Sequence, residues 1–197
     1  MLRRTTITHV NKVLEKNPNW KILDIGCGKG YLLYEFTQVV PGVEVTGIDI
    51  SPYAIENSKE EVTPFLHVGN ATTLPFEDNK FDAVIVSFGV RNFENLEKGL
   101  ADMYRVLKPG GKTVILEFSK PRAFPMKQAY SFYSNTVLPQ IGKIVSKDNS
   151  AYTYLPESVQ AFPDGQDFLA VLKKVGFHST VCKPLTFGIS SIYVGEK

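Results

Sequence analysis

Short β-rich apolar runs alternate along the chain with segments whose apolar residues recur at helical spacing, a pattern that predicts a parallel sheet covered by helices on both faces. A first helix is expected over Thr5 to Lys16, stopped at Asn17-Pro18 because proline cannot continue it. Strands are expected at Lys21 to Ile25, Glu44 to Asp49, Thr63 to Val68, Phe81 to Phe88 and Lys112 to Phe118. Between them fall a helix ending at Val39 and a second reaching about Glu60, with Ser51 as N-cap and Pro52 at its first position. A third covers Asn92 to Leu107, carries Leu96, Leu100, Met103, Tyr104 and Leu107 on one side, and stops at Lys108-Pro109-Gly110-Gly111. After a long stretch read as irregular, a helix over Asp164 to Val175 and two β-type segments, near Thr180 and at Ile189 to Gly195, complete the chain.

Composition narrows the function classes. With 197 residues and 43% hydrophobic positions the chain can bury a full core as one domain. A net charge of +2 gives no overall basic field, so nucleic acid is not an expected partner. Cys27 and Cys182 lie far apart and form no ligand cluster with His9, His67 and His178, so no metal is expected. The N-terminus has no apolar signal core and no apolar run is long enough to span a bilayer, which makes the cytoplasm the expected compartment.

Chemistry enters at Gly26-Cys27-Gly28-Lys29-Gly30, between the first strand and its helix. Glycines there allow positive φ and close approach of a ligand to backbone, and the helix that follows presents free N–H groups. A dinucleotide enzyme shows G-x-G-x-x-G, whereas this loop is G-x-G-x-G with Tyr31 where the last glycine would fall. The loop therefore suits a cofactor without phosphate, S-adenosylmethionine, with its methionine portion and ribose in the loop. Asp49, ending the second strand, can accept hydrogen bonds from both ribose hydroxyls, and its charge excludes a 2′-phosphate. Asn70 and Ala71, after the third strand, can flank an adenine ring. Candidate cofactor residues in and around these segments are Asp24, Gly26, Cys27, Gly28, Lys29, Asp49, Ile50, Asn70 and Ala71. Asp82 reads as a structural cap, His67 as a packing residue, and His178 as a histidine suited to a helix end.

Four blocks carry a more specific likeness: Asn70 to Phe76, Ser87-Phe88-Gly89-Val90-Arg91-Asn92, Arg105-Val106-Leu107-Lys108-Pro109-Gly110-Gly111 and Leu116-Glu117-Phe118-Ser119-Lys120-Pro121. They continue into Tyr152-Thr153-Tyr154-Leu155-Pro156-Glu157-Ser158 and Phe162-Pro163-Asp164. In these blocks the chain resembles the ubiquinone/menaquinone C-methyltransferases of the UbiE/MenG type, from Trp20 almost to the end. The resemblance implies a Rossmann-like class I methyltransferase with a mostly parallel seven-stranded sheet and an antiparallel C-terminal strand. It also implies C-methylation of a polyprenyl quinol, with cofactor contacts at Lys29, Asp49, Asn70, Ala71 and Ser87. Lys29 and Tyr31 depart from the family's usual G-G-T-G-D loop. Family members usually also carry an N-terminal segment with a Tyr-Asp motif that helps cover the substrate, and this sequence begins after it, so the expectation is either reduced covering or a segment that this sequence does not include.

Transfer to carbon requires an electron-rich ring carbon held in line with the methyl donor. By the same resemblance Arg91 is the catalytic candidate, stabilising a quinol oxyanion, with Asn92 orienting the quinol oxygen. Its competing role is an ion pair with Glu94 or Glu97, and Glu117 is equally open as a crevice acid or an ion-pair partner. The segment at about 120–162 is expected to cover the substrate. Within 120–147, Lys120, Arg122, Lys127, Lys143 and Lys147 are interleaved with Phe124, Met126, Tyr130, Phe132, Tyr133, Val137 and Leu138, a mixture suited to peripheral docking on an anionic membrane, with packing of the aromatics as a lid the alternative. A homodimer is also kept open. Two other functions remain in view: methylation of another small molecule, and a non-catalytic cofactor-binding subunit of a quinone-biosynthesis assembly.

Overall fold

A computed structural model describes residues 8, 19–133, 136 and 150–197. The helix expected over Thr5 to Lys16, apart from Thr8, and Val137, Leu138, Lys143 and Lys147 of the basic and apolar stretch therefore lie outside the described residues. The sheet has seven strands: β1 (Lys21–Ile25), β2 (Glu44–Asp49), β3 (Leu66–Val68), β4 (Phe81–Ser87), β5 (Leu107–Phe118), β6 (His178–Leu185) and β7 (Ser190–Glu196). Their order is β3-β2-β1-β4-β5-β7-β6. β3, β2, β1, β4 and β5 pair in parallel, and β7 runs antiparallel between β5 and β6. The order reverses between β1 and β4, so a crevice opens beyond the C-terminal ends of those two strands.

The continuous apolar runs of the central strands follow from burial on both faces. In β4, Val84 and Val86 pack into one core, and Ala83 and Ile85 into the other. The first core also takes Leu100 and Met103 from helix α3 (Leu96–Val106) and Phe168 and Leu172 from α6 (Gln166–Val175). The second takes Leu32, Leu33 and Phe36 from α1 (Tyr31–Val39). The helices on both faces are those the alternation predicts, and the seven strands with an antiparallel C-terminal strand are those the resemblance implies.

Several boundaries move for local reasons. Ser51 does cap α2 (Pro52–Glu56), accepting from the Ala54 amide at 3.2 Å, but the helix ends before Glu60 because the Lys59 amide donates to the Lys29 carbonyl instead, at 2.9 Å. Thr63–Phe65 forms a 3-10 turn containing Pro64, leaving only Leu66–Val68 to pair with β2. α3 starts late because Asn95 is its cap, accepting from the Lys98 amide at 2.9 Å, and Val90–Asn92 is a separate 3-10 turn. The proline and glycines after α3 do end the helix, yet Leu107 is already paired with Phe81; the ladder resumes at Ala83 with Lys112 after a shift in register. Within the stretch read as irregular stand α4 (Met126–Phe132) and α5 (Ser150–Ala161), the latter containing Pro156.

Candidate active site

The glycine loop closes one wall of the crevice. Gly26, Gly28 and Gly30 have φ of 74°, 54° and 73°, the left-handed region that a side chain resists. A Cβ on Gly30 would fall 2.7 Å from Val62 Cγ2 and 3.0 Å from Leu66 Cδ1, so this glycine leaves room for those two side chains beneath the loop. At Gly26 and Gly28 a Cβ would meet nothing, because the backbone there faces open space. Asp49 organises the loop: one carboxylate oxygen accepts from the Gly28 amide at 2.8 Å and the other from the Ser51 amide at 2.9 Å. Each oxygen keeps lone pairs for a ligand.

A cavity of about 420 Å³ in front of this wall is lined by Gly26, Asp49, Ile50, Asn70, Ala71 and Ser87 among others. Its size is that of a small-molecule site. Ile50 is 71% exposed on its rim. The Asn70 side-chain oxygen accepts from both the amide and the hydroxyl of Thr72, at 2.8 and 3.0 Å, which leaves its NH₂ as the end available to a ligand. Ser87 Oγ is buried without a hydrogen-bond partner among the described residues, an arrangement that a bound polar ligand would satisfy. Arg105 fixes the loop that follows Asn70: its guanidinium donates to the carbonyls of Leu74 and Phe76 and to the carboxylates of Asp78 and Asp102.

The candidate catalytic pair divides. Asn92 is on the cavity lining, with Phe88, Gly89, Phe93 and Glu94, whereas Arg91 is not. The Arg91 guanidinium lies behind the lining, where Nη1 donates to Glu117 at 2.8 Å and to the Phe88 carbonyl at 2.7 Å, and Nε donates to Ser158 Oγ at 3.3 Å. The other Glu117 oxygen accepts from the Arg91 amide at 3.2 Å. The side chains of Arg91 and Glu117 are 10% and 0% exposed. Burial pushes the Glu117 carboxyl above its ordinary range, opposed by the Phe118 amide and the Arg91 charge. The ion-pair partner of Arg91 is thus Glu117, from the neighbouring strand, rather than Glu94 or Glu97.

The remaining candidates sort by side-chain direction. Cys27 turns into the core beneath the loop, where burial and the nearby Asp24 and Asp49 push its thiol up, so only its backbone can meet a ligand. The Lys29 ammonium lies over the Tyr53 ring, 5.4 Å from its centroid, and is not on the cavity lining. Asp24 is buried behind the loop, and burial together with the Asp49 charge pushes its carboxyl up to about 8. Asp82 has the structural role expected of it, accepting from the Lys21 amide and pairing with Lys108. His67 packs edge-on against Phe76 and His178 Nδ1 meets Ser179 Oγ, both away from the cavity. Among the described residues no group of histidine, cysteine and carboxylate side chains could hold a metal.

Sequence reasoning missed Tyr154, whose hydroxyl donates to Asn92 Oδ1 at 2.8 Å across 62 residues, and the walls supplied by Phe88 and Phe93. Phe88 ends β4 with a backbone φ of 58°, which turns the chain from the strand into the Val90–Asn92 turn.

Comparison with known proteins bears on what this crevice belongs to. Solved structures with the same fold include the [4+2]-cyclase SpnF, with a TM-score of 0.70 and 18% identity over 99% of this chain and 81% of that one. Another is phosphoethanolamine N-methyltransferase 2 of Haemonchus contortus in complex with S-adenosyl-L-methionine, with a TM-score of 0.74 and 16% identity over 98% of this chain and 52% of that one. Likeness at that level speaks for the fold alone. Sequence relatives are much nearer. A demethylmenaquinone methyltransferase of Bacteroides fragilis is 42% identical over 184 residues, 90% of this chain and 75% of its own length. A ubiquinone/menaquinone biosynthesis C-methyltransferase UbiE of Geotalea daltonii is 43% identical over 194 residues, 94% of this chain and 82% of its own. With residues 2–197 also matching the family model described as ubiE/COQ5 methyltransferase, the chain belongs to that methyltransferase family.

Proposed function

We propose that the protein uses S-adenosylmethionine to methylate a ring carbon of a polyprenyl quinol, either demethylmenaquinol or its benzoquinol counterpart. The observation that carries this reading is a single cavity that joins Asp49, Asn70 and the Ser87 hydroxyl, unpartnered among the described residues, to Asn92. The names of the relatives supply the acceptor class.

The residues present fit the cofactor. Asp49 suits the ribose hydroxyls, Ile50, Asn70 and Ala71 the adenine, the open backbone of Gly26 and Gly28 the methionine portion, and Ser87 one further polar atom. When bound, S-adenosylmethionine supplies an electrophilic methyl group that needs no activation by the protein. The chain's task is then to hold the acceptor and favour its oxyanion. Asn92 serves this by donating its amide N–H to the quinol oxygen. Arg91 serves it from behind: hydrogen bonds to Phe88 and Glu117 fix the turn that carries Asn92, while the Glu117 carboxylate offsets much of the guanidinium charge. An arginine so paired is a positioning group and no proton acceptor.

The reading extends to a peripheral membrane contact, because a polyprenyl acceptor resides in lipid. Phe124 and Phe132 are 82% and 64% exposed and stand beside exposed Arg122 and Lys127. No helix among the described residues is long and apolar enough to cross a membrane. Salt-sensitive sedimentation with anionic liposomes supports this contact, and its absence removes it. The acceptor is tested by offering short-chain demethylmenaquinol, the matching benzoquinol and a panel of soluble phenols with labelled S-adenosylmethionine. Transfer to a quinol is expected, and turnover confined to soluble phenols overturns the proposal.

A further inference from the structure

We infer that Tyr154 is a positioning residue for methyl transfer, setting which end of the Asn92 amide faces the acceptor. The inference rests on the reading of Asn92 given above. An asparagine offers a carbonyl oxygen at one end and an NH₂ at the other, and only the NH₂ can stabilise an oxyanion. On an exposed rim nothing intrinsic to the side chain selects one orientation. The Tyr154 hydroxyl does so by donating to Asn92 Oδ1 at 2.8 Å, which occupies the oxygen end and leaves the NH₂ end for a ligand in the crevice.

The geometry around this hydrogen bond indicates that it is built in. Tyr154 and Ser158 lie four residues apart on α5, hence on one face of the helix. Ser158 receives Arg91 Nε at 3.3 Å while Tyr154 reaches Asn92, so one helix face grips two consecutive residues of the Val90–Asn92 turn. Ser158 Oγ in turn donates to the Leu155 carbonyl at 3.0 Å, which fixes its lone pairs toward Arg91. The Arg91–Glu117 pair holds the same turn from the sheet side. Asn92 is thereby oriented from two directions, by a strand behind it and a helix above it. Removing the phenol oxygen frees the amide to rotate while Arg91, Ser158 and the cavity wall keep their contacts.

The test uses the full chain carrying Tyr154→Phe, Asn92→Ala or both, with a short-chain demethylmenaquinol as acceptor. Initial rates, S-adenosylmethionine affinity by calorimetry and thermal unfolding are measured on each. Tyr154→Phe is expected to lower kcat about tenfold, the scale of one neutral hydrogen bond, with quinol KM, cofactor affinity and melting temperature unchanged. Asn92→Ala is expected to lower kcat further, and the double variant to match Asn92→Ala alone. Parental kcat in Tyr154→Phe overturns the inference, as does a loss that appears in KM or melting temperature, or one that persists undiminished in the Asn92→Ala background. Parental kcat in Asn92→Ala overturns the reading of Asn92 itself.

Discussion

Replacing Glu117 with alanine isolates what the buried pair contributes. The substitution removes a carboxylate that accepts from the Arg91 guanidinium, the Arg91 amide and the Phe118 amide, and leaves a guanidinium that is only 10% exposed with the Phe88 carbonyl and Ser158 as its partners. Breaking a buried pair on one side costs about 3–5 kcal/mol, because the surviving charge stays desolvated. For a chain of this length that corresponds to a melting temperature lowered by roughly 10 °C. Arg91→Met alone should destabilise similarly, by stranding the carboxylate, whereas Arg91→Met with Glu117→Leu should recover much of the stability, since both charges leave together. Urea and thermal unfolding of the cofactor-free protein measure each step. Activity should not return in the double variant, because the Val90–Asn92 turn has lost its polar fastenings. A Glu117→Ala protein as stable as the parent but without activity would refute this reasoning, and would place Glu117 among groups that meet the acceptor.

Asp24 gives a pH signature. Its folded value of about 8 lies above the ordinary 3.8, so the folded protein holds a proton that the unfolded chain releases, and this group's contribution makes cofactor-free stability fall as pH rises from 3.8 to about 8. Asp24→Asn should flatten that dependence in unfolding curves taken across the window, and an unchanged slope contradicts it. A cationic ligand in front of the loop favours the ionised form, so S-adenosylmethionine binding should release protons near neutral pH, seen by calorimetry in buffers of different ionisation enthalpy and lost in Asp24→Asn. Asp49→Asn should weaken cofactor binding by about 3 kcal/mol, roughly a hundredfold, since a charged acceptor becomes neutral; equal affinity in calorimetry contradicts the assignment. Arg105→Met should cost about 2 kcal/mol in urea unfolding, because two carbonyls and two carboxylates lose their shared donor, and should loosen cofactor binding through the loop after Asn70; no change in either is the contrary result.

The cavity wall at Gly26, Asp49, Asn70 and Ala71 was legible because its determinants are local. The glycines at 26, 28 and 30, a carboxylate ending β2 and a short polar residue after β3 are each visible within a few residues of sequence, and the glycines do take positive φ. The central strands were legible for the same reason, since two-sided burial writes continuous apolar runs. The acceptor side depends on long-range pairing. Arg91 and Glu117 lie 26 residues apart and meet because β4 and β5 pair Ser87 with Leu116, so Glu94 and Glu97 were the nearer partners in sequence and the wrong ones in space. Tyr154 reaches Asn92 from a helix within the stretch read as irregular, and that helix holds Pro156, a residue type that disfavours a helix interior. Lys29 and Cys27 turn their side chains away from the cavity, toward the Tyr53 ring and into the core, so residue identity there says little about the lining.

The central claim is carbon methylation of a quinol in the cavity shared by Asp49 and Asn92. Its most direct measurement is a single turnover of enzyme and methyl-labelled S-adenosylmethionine with a short-chain demethylmenaquinol, with the product resolved by mass and by NMR. One labelled methyl on the ring carbon, formed by the parent protein and strongly reduced in Asn92→Ala, is the predicted result. Label on a quinol oxygen, or no transfer from a protein shown to bind the cofactor, contradicts it.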